Sequence, residues 1–404
     1  MRSLFRERVV HLAVVFLLAT TQVGMVSEAA ADESPISERA AVERLLTAAR
    51  VDPAWFDPAF LAQIPAARIE GIVSSSKQQF GAFVSVEIER GEGTLRLERA
   101  EMPVRAALNA QGQFIGLFFG VPTLRGADPT ELIERFAALA DDISAFVRRG
   151  DRVLTEREAD RPLAVGSAFK LAILKAYEDR IAAGELTRDR VVALRPAWRS
   201  IPSGMLQDWP AGAPVTLETL AGLMTAISDN TATDAMIDIL GHDAIEAVSP
   251  RNRPFLTTRE AALIKTDALP DLRRRYQDAD MDGRRRLLAD LDARDLGETK
   301  DFGATPTVGI EWFFTARELC GLIDNLFAAP AVAINPGPVD AADWVRVAYK
   351  GGSELGVLNF TAAAEGADRE RVCAAVTLNA DRAIDERRAT VLFASLFEAL
   401  RSAD

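Results

Sequence analysis

Three short polar motifs stand in fixed order against apolar runs: Ser167-Ala168-Phe169-Lys170, Ser228-Asp229-Asn230 and Lys350-Gly351-Gly352-Ser353. If they converge, the fold has to bring a helix start, an interhelical turn and a strand end to one place. Each also has a plainer reading. Serine caps helices, Asp and Asn stop one helix and cap the next, and paired glycines mark a bulge or turn. Together they describe an acyl-transfer site that works without histidine. The chain has only His11 and His242, and His11 lies in a segment read below as removed. A site whose proton carrier is lysine needs neither.

The chemistry assigns each residue a task. Ser167, just before a helix, is the candidate nucleophile, because a helix N-terminus favours developing negative charge. Lys170 lies one turn on, on the same face. Its apolar neighbours disfavour the ammonium and make it a candidate base. Arginine has no such use, and the chain holds six lysines against 41 arginines. Ser228 would pass a proton between the lysines and the leaving group. Asn230 would bind substrate and Lys170, while Asp229 orients the turn. Ser353 N–H and Ser167 N–H would form an oxyanion hole, and Lys350 would add positive charge for a substrate carboxylate or for Ser228. Ser74-Ser75-Ser76-Lys77 repeats the first spacing. It sits in a polar cluster with no apolar helical run after it, so it is read as a loop.

The first residues read as an export signal. Arg2, Arg6 and Arg8 precede the apolar stretch Val9 to Ala19, and Ala29-Ala30-Ala31 offers a cleavage site. The apolar stretch is too short to span hydrocarbon. Without residues 1–31 the net charge moves from −12 to −13. That argues against nucleic acid or an anionic lipid surface as partner. No zinc-type Cys/His spacing occurs and no cofactor is expected. Cys320 falls in a helical run and Cys373 in a strand-like one. Export permits a disulfide, but the expectation is two buried thiols.

Length and periodicity predict an α+β protein of two domains. A helix over Ser37 to Ala49 precedes a strand-rich stretch: Gly81 to Ile88, Gly93 to Leu97, Pro103 to Leu108 and Phe114 to Phe119. Val121 to Gly126 is the boundary, giving a signal peptide (1–31) and domains over 32–124 and 125–404. In the second domain helices are predicted over Pro129 to Leu139, Phe169 to Ile181, Leu217 to Ile227, Thr231 to Leu240, Glu311 to Leu326 and Arg382 to Arg401. A hairpin is expected around Gly150-Asp151, and further strands over Val345 to Tyr349, Gly356 to Ala364 and Arg371 to Leu378. Residues 270–300, dense in Arg and Asp, read as a surface helical insertion.

The motif set resembles that of serine β-lactamases and penicillin-binding proteins. The likeness extends to Ser203-Gly204-Met205-Leu206-Gln207, Val215-Thr216-Leu217, Thr231-Ala232-Thr233-Asp234 and Gly241. It implies a β-lactamase fold, with a helical subdomain and an antiparallel sheet flanked by helices. It also implies catalytic roles for Ser167, Lys170, Ser228 and Lys350, and substrate binding by Asn230 and Ser353. Two departures stand out: residues 241–310 hold no E-x-x-x-N element, and Gly351 replaces the threonine of K-T-G. In layout the chain is most similar to the β-lactamase-like serine hydrolases of the clavulanic acid biosynthesis cluster. That implies an isomerase/cyclase-like first domain. The resemblance implies an acyl-serine hydrolase acting on small esters or β-lactam-like amides, and the export signal places it as periplasmic or secreted after cleavage near Ala31. The alternatives are a penicillin-binding D-Ala-D-Ala peptidase and a non-catalytic ligand-binding protein on the same fold.

Overall fold

The computed structural model describes residues 36–291, 294, 296–299 and 307–402. The segment expected to direct export, its expected cleavage site, His11 and Lys300 lie outside them. The described chain falls into two compact units, divided between Ala127 and Asp128.

The first unit contains α1 (Glu38–Thr47), α2 (Pro58–Gln63) and α3 (Ala66–Phe80). They are followed by β1 (Phe83–Glu89), β2 (Glu92–Leu97), β3 (Ala100–Leu108), β4 (Phe114–Phe119) and β5 (Thr123–Leu124). Strands β1 to β4 pair in chain order and β5 joins β3, all antiparallel. Ser37 starts α1 by accepting Ala40 N–H at 3.2 Å. Val42, Leu45 and Leu46 are buried on one face of it. The Ser74 to Lys77 copy corrects the loop reading: it lies inside α3. Ile69, Val73 and Phe80 are the buried residues of that helix, and their spacing is helical. Consecutive serines masked it, although serine costs a helix only a few tenths of a kcal/mol.

The second unit opens with α4 (Pro129–Ala137), capped by Asp128, and continues through β6 (Asp142–Arg149), β7 (Arg152–Arg157) and β8 (Leu163–Ala164). Its helical part comprises α5 (Lys170–Ala182), the short strands β9 (Val191–Ala193) and β10 (Pro214–Thr216), α6 (Leu217–Ala226), α7 (Asn230–Leu240), α8 (His242–Val248) and α9 (Thr258–Lys265). Then come α10 (Pro270–Asp278), α11 (Met281–Ala289), β11 (Phe313–Phe314) and α12 (Ala316–Asn325). The chain closes with β12 (Arg346–Glu354), β13 (Val357–Glu365), β14 (Arg371–Asn379) and α13 (Glu386–Ser402). The helix predicted from Glu311 begins instead at Ala316. Thr315 and Glu318 form a reciprocal capping box there, and Phe313 and Phe314 pair with β8.

The sheet runs β12-β13-β14-β6-β7, antiparallel throughout. β13 and β14 are buried along almost their whole length, because both faces are covered. α12 packs against β13, β14 and β6. On α13, Phe393 stacks on Phe360 with ring centroids 5.1 Å apart. Such strands read as apolar runs rather than alternation. β12 lies at the sheet's end, so one of its edges is free to meet something other than a strand. No described helix is long and apolar enough to cross a membrane.

The expectation of two free thiols is corrected. Cys320 on α12 and Cys373 on β14 are fully buried and disulfide-bonded, with Cα atoms 6.0 Å apart. Packing brings a helix face onto the central strand, which linear spacing does not reveal. The bridge closes a loop of 53 residues, for which chain entropy gives about 4 kcal/mol. Cys320→Ala with Cys373→Ala is expected to lower unfolding stability by about 2–4 kcal/mol, read from the denaturant midpoint. Reductant should then shift the wild-type midpoint and leave the double variant's unchanged.

Candidate active site

Gly166-Ser167-Ala168-Phe169 forms a 3₁₀ turn that feeds directly into α5. Ser167 therefore makes no cap hydrogen bond, and its hydroxyl has no partner among the described residues. It is half-buried between buried neighbours. Phe169 anchors the turn by stacking on Trp312, centroids 3.7 Å apart. Val165 N–H donates to Trp312 C=O at 3.1 Å.

Lys170, the first residue of α5, is buried. Its ammonium donates to Ser228 C=O at 2.6 Å, Asn230 Oδ1 at 2.8 Å and Ser228 Oγ at 3.0 Å. Lys350, on β12, reaches the same Ser228 Oγ at 3.3 Å and also donates to Gly351 C=O. Ser228 Oγ thus sits between two buried lysines contributed by opposite parts of the unit. Burial holds the Lys170 amine well below the ordinary lysine range, and the Lys350 charge lowers it further. Burial alone brings Lys350 down to about 7. Lys170 points at the second motif rather than at Ser167. Its three contacts use all three ammonium protons; a neutral amine would keep a lone pair able to accept from Ser228 O–H.

The second motif is held in a strained turn. Ser228 adopts φ 59°, a conformation side chains other than glycine disfavour by about 1–3 kcal/mol. Asp229 fixes it from below. Its carboxylate caps α7 through Ala232 N–H at 2.8 Å and accepts Met205 N–H at 2.6 Å and Leu206 N–H at 2.9 Å. Asn230 N–H donates to Ser203 C=O at 3.0 Å. Asp229 thus serves backbone groups, as the sequence predicts.

The third motif reaches the site through its backbone. A Cβ at Gly352 would lie 2.1 Å from Val165 O and 2.5 Å from Ser167 N. One at Gly166 would lie 3.2 Å from Ser353 N. Only glycines let the free edge of β12 approach the turn this closely. The approach sets Ser167 N–H and Ser353 N–H on facing segments. Lys350, Gly352 and Glu354 alternate onto one face of β12; Tyr349, Gly351 and Ser353 occupy the other.

Carboxylates near these elements are engaged elsewhere. Glu260 completes a capping box with Thr257. Asp234 accepts from Thr258 N–H, Thr258 Oγ1 and Arg259 N–H, tying α7 to α9. Burial raises its pKa to about 6 against those donors. His242 bonds to Phe255 C=O, away from the motifs. Two features escaped sequence reading. Lys265 is ion-paired with Glu311 and Glu354 at the far end of β12, where burial and Glu311 raise the Glu354 pKa. Glu386, on α13, accepts the Ser353 hydroxyl. The rarity of lysine was the one signal that pointed to Lys265, and it was not followed; nothing local pointed to Glu386.

A model of the β-lactamase enzyme family matches residues 136–288. That stretch holds Ser167, Lys170, Ser228 and Asn230. No curated protein matches the chain. Among solved structures, a β-lactamase from Sphaerobacter thermophilus is 21% identical, with TM-score 0.47 over 68% of this chain and 97% of that one. A PBP-A structure is 19% identical, with TM-score 0.40 over 67% and 96%. A class A β-lactamase representative from Bacteroides cellulosilyticus is 16% identical, with TM-score 0.44 over 69% and 100%.

Burying Lys350 has a stability consequence with a definite sign. Its folded pKa of about 7 lies below the ordinary lysine value of 10.5, so the unfolded chain binds the proton more readily. Wild-type stability therefore rises as pH climbs from about 7 towards 10.5, and the full cost of burying the charge is felt below 7. Lys350→Met is expected to be more stable than wild type by about 3–5 kcal/mol at pH 6. The advantage should shrink steadily towards pH 10, as followed by urea unfolding.

Proposed function

We propose that the chain is an exported acyl-serine hydrolase acting on small esters or β-lactam-like amides. The observation that carries this reading is the Ser228 hydroxyl between two buried lysines, 3.0 Å from one and 3.3 Å from the other. Neutral Lys170 takes the Ser167 proton as Oγ adds to the substrate carbonyl. Ser167 N–H and Ser353 N–H receive the oxyanion. Collapse breaks the bond to the leaving group, which takes a proton through Ser228 from Lys170, with Lys350 holding positive charge beside it. Asn230 orients the substrate. Hydrolysis of the acyl-enzyme runs the same steps with water in place of Ser167, Lys170 accepting its proton. This route needs no glutamate, in keeping with the use of Glu260 as a cap.

Export is supported by the basic-then-apolar start of the chain and by the buried disulfide. The order of helices and sheet in residues 36–124 supports an isomerase/cyclase-like first domain.

Intact-mass analysis after exposure to activated esters and penicillins tests the reading. An ester acyl group is expected to appear on Ser167 and then leave. A penicillin, whose tethered amine blocks the incoming water, is expected to persist as an adduct. Ser167→Ala should abolish both adducts and Ser74→Ala neither. Labelling that survives Ser167→Ala overturns the assignment.

A further inference from the structure

We infer that Glu386 biases the charge of the substrate, so that the site favours acyl compounds carrying a cationic group over matched ones carrying a carboxylate. The inference rests on the acyl-serine reading above and concerns which esters and amides that site accepts.

The outer face of β12 carries Tyr349, Gly351 and Ser353. Gly351 offers no side chain. The space its Cβ would take is filled instead by the Tyr349 hydroxyl, 2.3 Å from that position. Burial and the Glu386 charge keep the Tyr349 phenol protonated, so it is a neutral group. Ser353 is exposed, but its hydroxyl proton is committed to Glu386 Oε1. To an incoming ligand Ser353 Oγ therefore presents only lone pairs. A carboxylate arriving here finds a spent donor and a fixed negative charge behind it.

Glu386 is itself exposed, at the first residue of α13. Among the described residues it is ion-paired with no lysine or arginine. Arg387 and Arg388 follow it in sequence, but residues one and two apart on a helix do not face each other. The nearest motif cation, Lys350, is on the opposite face of β12, turned to Ser228. On this face the Glu386 carboxylate is a full charge with no side-chain counterion among the described residues, and the α13 N-terminus beside it supplies only partial positive charge. A substrate whose carbonyl is held by Ser353 N–H lies along the free edge of β12, one side-chain length from that carboxylate. At such a separation near a surface, one unit charge changes binding by about tenfold.

The test separates charge selection from turnover. Matched p-nitrophenyl esters would carry a trimethylammonium, tert-butyl or carboxylate terminus, once on the acyl chain and once on the ring. Their binding is measured by calorimetry in Ser167→Ala, which cannot be acylated, with Glu386 intact and with Glu386→Gln or Glu386→Arg. Acylation of the protein with Ser167 intact is followed by mass in parallel. In at least one series the cationic ester is expected to bind about tenfold tighter than the neutral one, and the anionic ester more weakly than both. Glu386→Gln should level the three, and Glu386→Arg should reverse the order, a gain that misfolding cannot imitate. Equal binding in both series, or an order unmoved by either substitution, overturns the inference even where Ser167 is acylated. Charge-ordered binding without acylation upholds the inference and overturns the hydrolase reading. Absence of both binding and acylation overturns the two together.

Discussion

The arrangement depends on two lysines that the fold keeps out of water around one hydroxyl. Each pKa unit by which burial lowers an amine is about 1.4 kcal/mol of strain on the charged form. For both Lys170 and Lys350 burial is the largest cause of the shift. Such residues persist because the surroundings over-determine them. α5 is buried from Lys170 through Leu174, so Lys170 cannot swing out to solvent. Lys350 is fixed by a nine-residue strand paired along its whole length with β13. The strained Ser228 turn is held by Asp229 through three backbone hydrogen bonds. Stability is given up locally, and an amine able to take a proton near neutral pH results.

The same logic explains the glycines. A strand edge and a 3₁₀ turn meet backbone to backbone because Gly352 and Gly166 carry no side chain between them. That contact, rather than any side chain of the third motif, sets two N–H groups on facing segments. Side-chain chemistry along β12 is then divided by the strand's alternation. Lys350 faces Ser228, Glu354 faces Lys265, and Ser353 turns away to Glu386.

Legibility in the sequence followed the range of the interactions. Ser167, Lys170, Ser228, Asn230, Lys350 and Ser353 could be singled out as candidates because each lies in a short motif with its own local geometry. Most helices and strands followed from periodicity. α3 did not, because Ser74 to Ser76 hid the buried spacing of Ile69, Val73 and Phe80. The disulfide and the Ser353–Glu386 contact were illegible for a different reason. Their partners are 53 and 33 residues apart, and only packing of α12 and α13 on the sheet joins them. The Lys265, Glu311 and Glu354 group is of the same kind, assembled from α9, the segment before β11 and the end of β12.

Acylation by this route requires Lys170 as a neutral amine. The direct measurement is the pH dependence of the single-turnover acylation rate of Ser167 by an uncharged activated ester. The rate is expected to rise with pH along a limb centred well below the ordinary lysine value of 10.5. In Lys170→Arg, whose side chain cannot give up its proton, that limb should vanish and the rate should fall by about 10²–10⁴. An unchanged limb and near wild-type rate in Lys170→Arg would contradict the account and assign the proton to another group.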